Sequence, residues 1–224
     1  MTMDDTSAIA VDDIADYLGR LGVLLESDRA FPSITGIMVR EPIKGSWWSH
    51  PRANDIHMMS QRLSQHPDAI FLKLLSGKTT YVHRRLWPGL IAIATAQEPW
   101  QLEGLPASAK SMLKKVEERG ELRMDEIKGS RSIKEKSAAA RMLEMHLLVL
   151  GDDVHTDSGH HVKRIETWEH WAWRSGFNIS VLPSPEKASE EFARIVADLN
   201  AEFGADVTLP WHPKTAPKRA RVRA

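Results

Sequence analysis

The sequence predicts an α+β protein. A helix and β-hairpin N-terminal part comes first, a second helix and hairpin part follows, and a strand-helix-strand extension closes the chain. Three observations predict it. Before residue 100, amphipathic helix patterns flank two apolar runs separated by Ser76-Gly77-Lys78. Between residues 107 and 173, two further helix patterns are followed by a hairpin with a polar tip. Beyond 183, Phe192, Ile195, Val196, Leu199 and Phe203 form an apolar stripe at helical spacing.

In the N-terminal part, residues 1–100, Ile14, Tyr17, Leu18, Leu21 and Leu25 put one apolar face on a helix spanning 9–25. Residues 33–40 read as a strand, 42–51 as irregular, and 52–65 as a helix. Residues 68–75 and 79–86 pair as a hairpin. Trp87-Pro88 opens a helix ending near 96, because proline is tolerated in a first helical turn. Residues 97–106, with Pro99 and Pro106, link to the next part.

There, Ala109, Met112, Leu113 and Val116 mark a helix over 107–119, which Gly120 ends as a left-handed cap. A short extended piece, 121–124, and one weak turn at 125–127 follow. Ser132-Ile133-Lys134-Glu135 matches a capping box: the serine oxygen accepts the Glu135 N–H, while the Glu135 carboxylate reaches back to Ser132. The helix starting there buries Ala139, Met142, Leu143 and His146 and turns Lys134, Lys136 and Arg141 outward. Strands at 147–156 and 161–166 join through Asp157-Ser158-Gly159, the second carrying Lys163 and Arg164. This order makes residues 107–175 a winged-helix-like part, with a candidate recognition helix and a wing. Cations on both can straddle the phosphates of one duplex, so Lys134, Lys136, Arg141, Lys163 and Arg164 are the candidate nucleic-acid contacts. Nearly as many acids share the segment, and a protein-docking or purely structural use stays open. Residues 176–212 form the extension, with strands at 177–182 and 206–209 around the long helix. The basic tail 213–224 has nothing to bury and is expected to stay disordered.

The 224 residues carry 30 basic and 30 acidic side chains, but the signs are segregated. Acids dominate before residue 30 and bases between 40 and 90, and the last eleven residues hold five cations and no acid. Local positive excess attracts polyanions even on a neutral protein. The absence of cysteine excludes disulfides, thiolate catalysis and thiolate zinc sites. With no long apolar run and no apolar leader, a cytoplasmic protein without a membrane partner is expected.

Three clusters bear on chemistry. Trp47, Trp48, His50 and Arg52 lie near a basic hairpin with Lys73, Lys78, His83 and Arg84. Aromatic planes beside cations suit stacked bases and phosphates, so Trp47, Trp48, His50, Lys73, Lys78, His83 and Arg84 form a candidate pocket, against a reading of core tryptophans and snorkelling cations. The second cluster is 155–161, with His146, Asp152, Asp153, Glu166, Glu169 and His170 nearby. Adjacent His160 and His161 point to opposite faces of a strand, so no metal is expected there, although His155 and His160 have a chance to meet across the hairpin. In the third, Trp168 and Trp171 share a helical face and read as core. No cofactor is expected, since the phosphate-loop, dinucleotide, nucleophile-elbow and zincin motifs are all absent from the sequence.

The stretches Gly45-Ser46-Trp47-Trp48-Ser49-His50-Pro51, Lys73-Leu74, Gly77-Lys78, residues 82–88 and residues 154–160 resemble motifs of an uncharacterised bacterial protein family. That family supplies no activity to carry over. Residues 107–173 also resemble the winged-helix proteins that include bacterial crosslink-repair DNA glycosylases. Those enzymes use a Gln-x-Gln or Gln-x-Asp pair. Here Gln61 and Gln65 stand four apart, so the resemblance does not extend to glycosylase chemistry. The expected function is nucleic-acid binding, with duplex DNA as the partner. The alternatives are a small enzyme acting on a phosphate-bearing or nucleotide substrate in the basic Trp/His pocket, and a protein-interaction scaffold with a protein partner.

Overall fold

The computed structural model describes residues 9–41, 45–127, 132–155 and 161–212. The N-terminal residues, Lys44, Arg131, the wing tip with His160, and the basic tail lie outside them. The architecture is α+β with two antiparallel three-stranded sheets, ordered β1-β3-β2 and β4-β6-β5.

The first sheet comprises β1 (Val23–Leu25), β2 (Ala69–Lys73) and β3 (Thr79–His83). Alternation gives it two buried faces. Leu24, Ala69, Phe71 and Tyr81 pack under α1 (Val11–Leu21), α2 (Ile34–Val39) and α3 (Ala53–Ser64). Val23, Leu25, Ile70, Leu72 and Val82 pack on the opposite side, against α4 (Trp87–Thr95) and the C-terminal α9 (Pro185–Phe203). The sheet is therefore the middle of three layers.

Two N-terminal elements differ from the sequence expectation. The helix predicted over 9–25 ends at Leu21, because Gly22 takes φ 87° and its N–H returns to the Leu18 carbonyl. Arg85 lies over this end and donates to the Gly19 carbonyl at 3.0 Å, freeing the next three residues to form β1. The strand predicted over 33–40 is instead the short helix α2. Ser33 caps it by accepting the Gly36 N–H at 3.1 Å, and Ile34 and Met38 turn inward one helical turn apart.

The second sheet belongs to a helix-strand-helix-hairpin succession: α6 (Ala107–Arg119), β4 (Glu121–Arg123), α7 (Ile133–Met145), β5 (Leu150–His155) and β6 (His161–Glu166). In this sheet β6 is central, paired antiparallel with β4 on one side and with β5 on the other. The predicted capping box opens α7, with Ser132 accepting the Glu135 N–H at 3.2 Å and Glu135 accepting the Ser132 N–H at 2.8 Å. A core of Met112, Leu113, Val116, Leu143 and Ile165 fills the space between helices and hairpin.

A seam joins the halves. Buried Gln101, in the short α5 (Pro99–Leu102), donates to the Ala94 carbonyl at 3.0 Å and the His146 carbonyl at 3.2 Å. Trp168, at the start of α8 (Trp168–Ser175), donates to the Leu147 carbonyl at 2.7 Å. The long helix α9 then crosses back onto α4. The extended runs on either side of it, 177–182 and 206–209, are not strands. Asn200 brackets Val207 from both sides, and the Thr208 carbonyl accepts the Ser76 N–H at 2.8 Å, so the second run's backbone groups find partners outside any sheet. Among the described residues, no helix is long and apolar enough to cross a membrane.

Buried Glu166, at the end of β6, ties the wing to α8. It accepts from Arg174 Nε at 3.2 Å and lies 2.9 Å from His170 Nδ1, with Arg164 3.8 Å away. Burial raises the pKa of its carboxyl, but the hydrogen bonds from Arg174 and His170 and the charges of Arg174 and Arg164 outweigh that and hold it below its ordinary value. A depressed acid stabilises the fold above its unfolded pKa, and the contribution is lost as pH falls through the folded one. Glu166→Gln should therefore lower unfolding stability at pH 7 by about 3 kcal/mol. It should also flatten the loss of stability below about pH 4.5, which urea titrations at pH 7 and in acid will measure.

Candidate functional site

One end of the first sheet leaves its hydrophobic layer and opens into a cleft of about 840 Å³ between the two halves. The strand register builds its floor. Lys73 is paired with Thr79, and the residue after β1, Glu26, donates its N–H to the Thr79 carbonyl at 2.9 Å. Glu26, Thr79 and Lys73 thus form one row across three strands, directly beyond the row Leu24, Tyr81 and Phe71. The outer row is half-buried where the inner one is core.

A second wall comes from α3. His57, Gln61 and Gln65 recur every four residues and line the cleft together with Ser60 and Ser64. Tyr81 donates its hydroxyl to the Ser60 carbonyl at 3.1 Å, and burial raises its pKa. The Ser60 hydroxyl is buried and has no hydrogen-bond partner among the described residues.

The third wall is the wing with the C-terminal end of α7. Lys163 Nζ lies 2.8 Å from the carboxylate of buried Glu144. Gly151 makes room for this pair, because a Cβ there would lie 2.7 Å from the Glu144 carboxyl carbon and 3.1 Å from Lys163 Cε. Gly151→Ala should separate the pair and lower stability by about 2 kcal/mol, as thermal and urea unfolding will show. An unchanged midpoint would mean the pair is not fixed.

The electrostatics of the floor are unusual. Burial raises the pKa of Glu26, an effect that the charges of Lys73 and His57 only partly oppose. Burial also lowers the pKa of Lys73; Glu26 and Glu144 resist this, while Lys163 and Arg141 add to it. An acid held toward its protonated form and an amine held toward its neutral form share one row. Such a pair is suited to exchanging protons with a bound molecule.

The predicted nucleic-acid contacts divide into two groups. Lys134 and Arg141 are exposed on α7 and form no ion pair with a described residue. Lys136 donates to the Ile127 carbonyl, Lys163 pairs with Glu144, and Arg164 donates two hydrogen bonds to Asp152, at 3.1 and 2.7 Å.

The seven residues of the predicted pocket do not converge. Lys73 lies in the cleft and donates to Thr79 Oγ1 at 2.6 Å. Lys78 pairs with Asp28 in a separate concavity. At the other end of β3, His83 lines a third concavity and Arg84 lies over the Trp87 ring at 5.7 Å. His83 accepts the Arg85 N–H at Nδ1, and burial lowers its pKa, so its proton rests on Nε2. Trp47 is buried. Exposed Trp48 stacks on it at 4.1 Å and reaches His57 at 5.3 Å, while His50 lies 3.9 Å from Glu41.

The sequence does not single out Glu26, His57 or Glu144, and it brings in Gln61 and Gln65 only through the comparison with a catalytic glutamine pair. Only the polar stripe on α3 left a periodic signal. For metal, the ligand atoms of Glu121, Glu166 and His170 lie within 4.8 Å of one another, but Arg164 and Arg174 already neutralise those carboxylates. A cation there would face two guanidinium groups. In the wing, the register places His155 opposite His161, and His160 lies outside the described residues.

Fold and site together define a two-part α+β protein whose polar cleft is bounded by a sheet, a helix and a hairpin. The model of the family described as AlkZ related matches residues 9–205, which span both parts and the cleft, and the chain belongs to that family. No curated protein matches, and no solved structure does.

Proposed function

We propose that this protein binds duplex DNA through the outward face of α7, and that the adjoining cleft receives a single nucleotide unit of that DNA. The observation that carries the reading is the composition of the α7 face. Lys134, Ser137, Ala138 and Arg141 lie three and four residues apart and are all exposed. Two small side chains between two cations let a helix backbone approach a groove while the cations reach phosphates. At its exposed start, Ile133 offers an apolar contact for a base edge.

The acids of this segment do not cancel the face. Glu135 is held by the Ser132 cap, Glu144 by Lys163, and Asp152 and Glu166 by arginines. Family membership supports the same partner, since AlkZ is a DNA crosslink glycosylase. In this reading residues 107–175 act as the DNA-docking module, and the segment from Glu26 to Tyr81 supplies the rest of the cleft. A glycosidic reaction is not part of the proposal, because Gln61 and Gln65 reach the cleft but stand four apart. The half-buried Glu26 and Lys73 do favour a second reading, in which the cleft performs acid–base or nucleophilic work on what it holds.

Fluorescence anisotropy with a labelled duplex tests the first reading. Binding should weaken steeply with salt, and replacing Lys134 and Arg141 by alanine should reduce the log–log slope by about 1.8, two contacts at about 0.9 each. Binding that is absent at low salt, or unaffected by the double substitution, contradicts it.

A further inference from the structure

We propose that Lys73 is an amine nucleophile that captures the aldehyde of an abasic deoxyribose by forming an imine. The inference rests on the reading that the cleft receives a nucleotide unit of DNA.

Lys78 and Lys163 are each paired with a carboxylate, that of Asp28 and that of Glu144. Lys73 is different. Its direct hydrogen-bond partner is the neutral hydroxyl of Thr79, so it can give up a proton without breaking an ion pair. It is also half-buried, at the floor of a cleft whose volume suits a nucleotide. The charged and titratable groups around it are Glu26 from the end of β1, Tyr81 from β3, His57 from α3, Glu144 and Arg141 from α7, and Asp152, Asp153 and Lys163 from the wing. Burial and the two neighbouring cations favour the neutral amine, which is the nucleophilic form.

Amines form imines with carbonyl carbons. In DNA the carbonyl of matching reactivity is the C1′ aldehyde exposed when a base is missing and the sugar ring opens. The neutral Nζ adds its electron pair to C1′ as the C1′–O π bond breaks, and one proton passes from the new ammonium nitrogen to the resulting alkoxide to give a neutral carbinolamine. The carbinolamine hydroxyl leaves as water, with its proton supplied by the carboxyl of Glu26, and Nζ becomes the iminium nitrogen. Glu26, held toward its protonated form in the same row, is suited to that transfer. The step needs no oxidant or reductant, and the added water molecule of hydrolysis reverses it.

The test is borohydride trapping with the full chain and a duplex carrying one abasic site, followed by peptide mapping of the adduct. Borohydride reduces an iminium to a stable secondary amine. A covalent adduct located on Lys73 is expected, reduced at least tenfold in Lys73→Arg and in Lys73→Gln, and retained in Lys187→Ala, an exposed residue in the first turn of α9. The trapping rate should rise with pH to a midpoint below the ordinary lysine range. If the abasic duplex binds but yields no adduct, or the adduct maps to another amine, the inference is overturned and the DNA reading stands. If neither intact nor abasic duplex binds, both are overturned.

Discussion

The geometry of this molecule depends on the buried seam at Leu147. This residue has φ 56°, a left-handed conformation unfavourable for leucine and costing about 1–3 kcal/mol. It is held there because its side chain is fully buried and its carbonyl accepts the Trp168 indole N–H. Gln101 fastens the preceding residue from the other side, and Trp171 packs edge-on against Trp87 at 5.2 Å. The turn from α7 into β5 therefore has one direction. That direction sets the wing opposite the end of the first sheet and creates the cleft. Loosening the seam would alter the cleft without touching any residue that lines it.

Charge has a second organising role. A segment with almost equal numbers of acids and bases looks featureless as a list, but its partners are specific. Arg164 and Arg174 surround Glu166, Glu121 and Asp152, and Lys163 takes Glu144, so most of the charge serves to hold the hairpin on the helices. On α7 the cations Lys134 and Arg141 face outward, and on the first sheet Lys73 sits half-buried. In the proposed function the first meets a polyanion and the second does chemistry.

The helices and the hairpins were legible in the sequence because their signals are local. The Ser132 capping box, Gly120, the Trp168 and Trp171 pair and the stripe on α9 each depend on residues within a few positions of one another. The strand expected at 33–40 failed because Ile34, Ile37 and Val39 suit a strand by type, whereas the Ser33 cap and the Ile34–Met38 spacing favour a helix. The expected strands beside α9 failed because Asn200 and the Ser76 turn satisfy the later run and Phe177 closes onto Ala172. The cleft was illegible for a different reason. Glu26, Lys73 and Glu144 come from three distant elements, and only the β1-β3-β2 register and the Leu147 turn bring them together.

Hydrogen-exchange mass spectrometry on the full chain, with and without a duplex containing one abasic site, tests the central claim most directly. If DNA lies on α7 and enters the cleft, amide protection should rise at the start of α7, in β2 and β3 around Lys73 and Thr79, and along the α3 stripe. The far side of α9 should exchange as before. Protection confined to α9 and α4, with α7 and the cleft unchanged, would contradict the account.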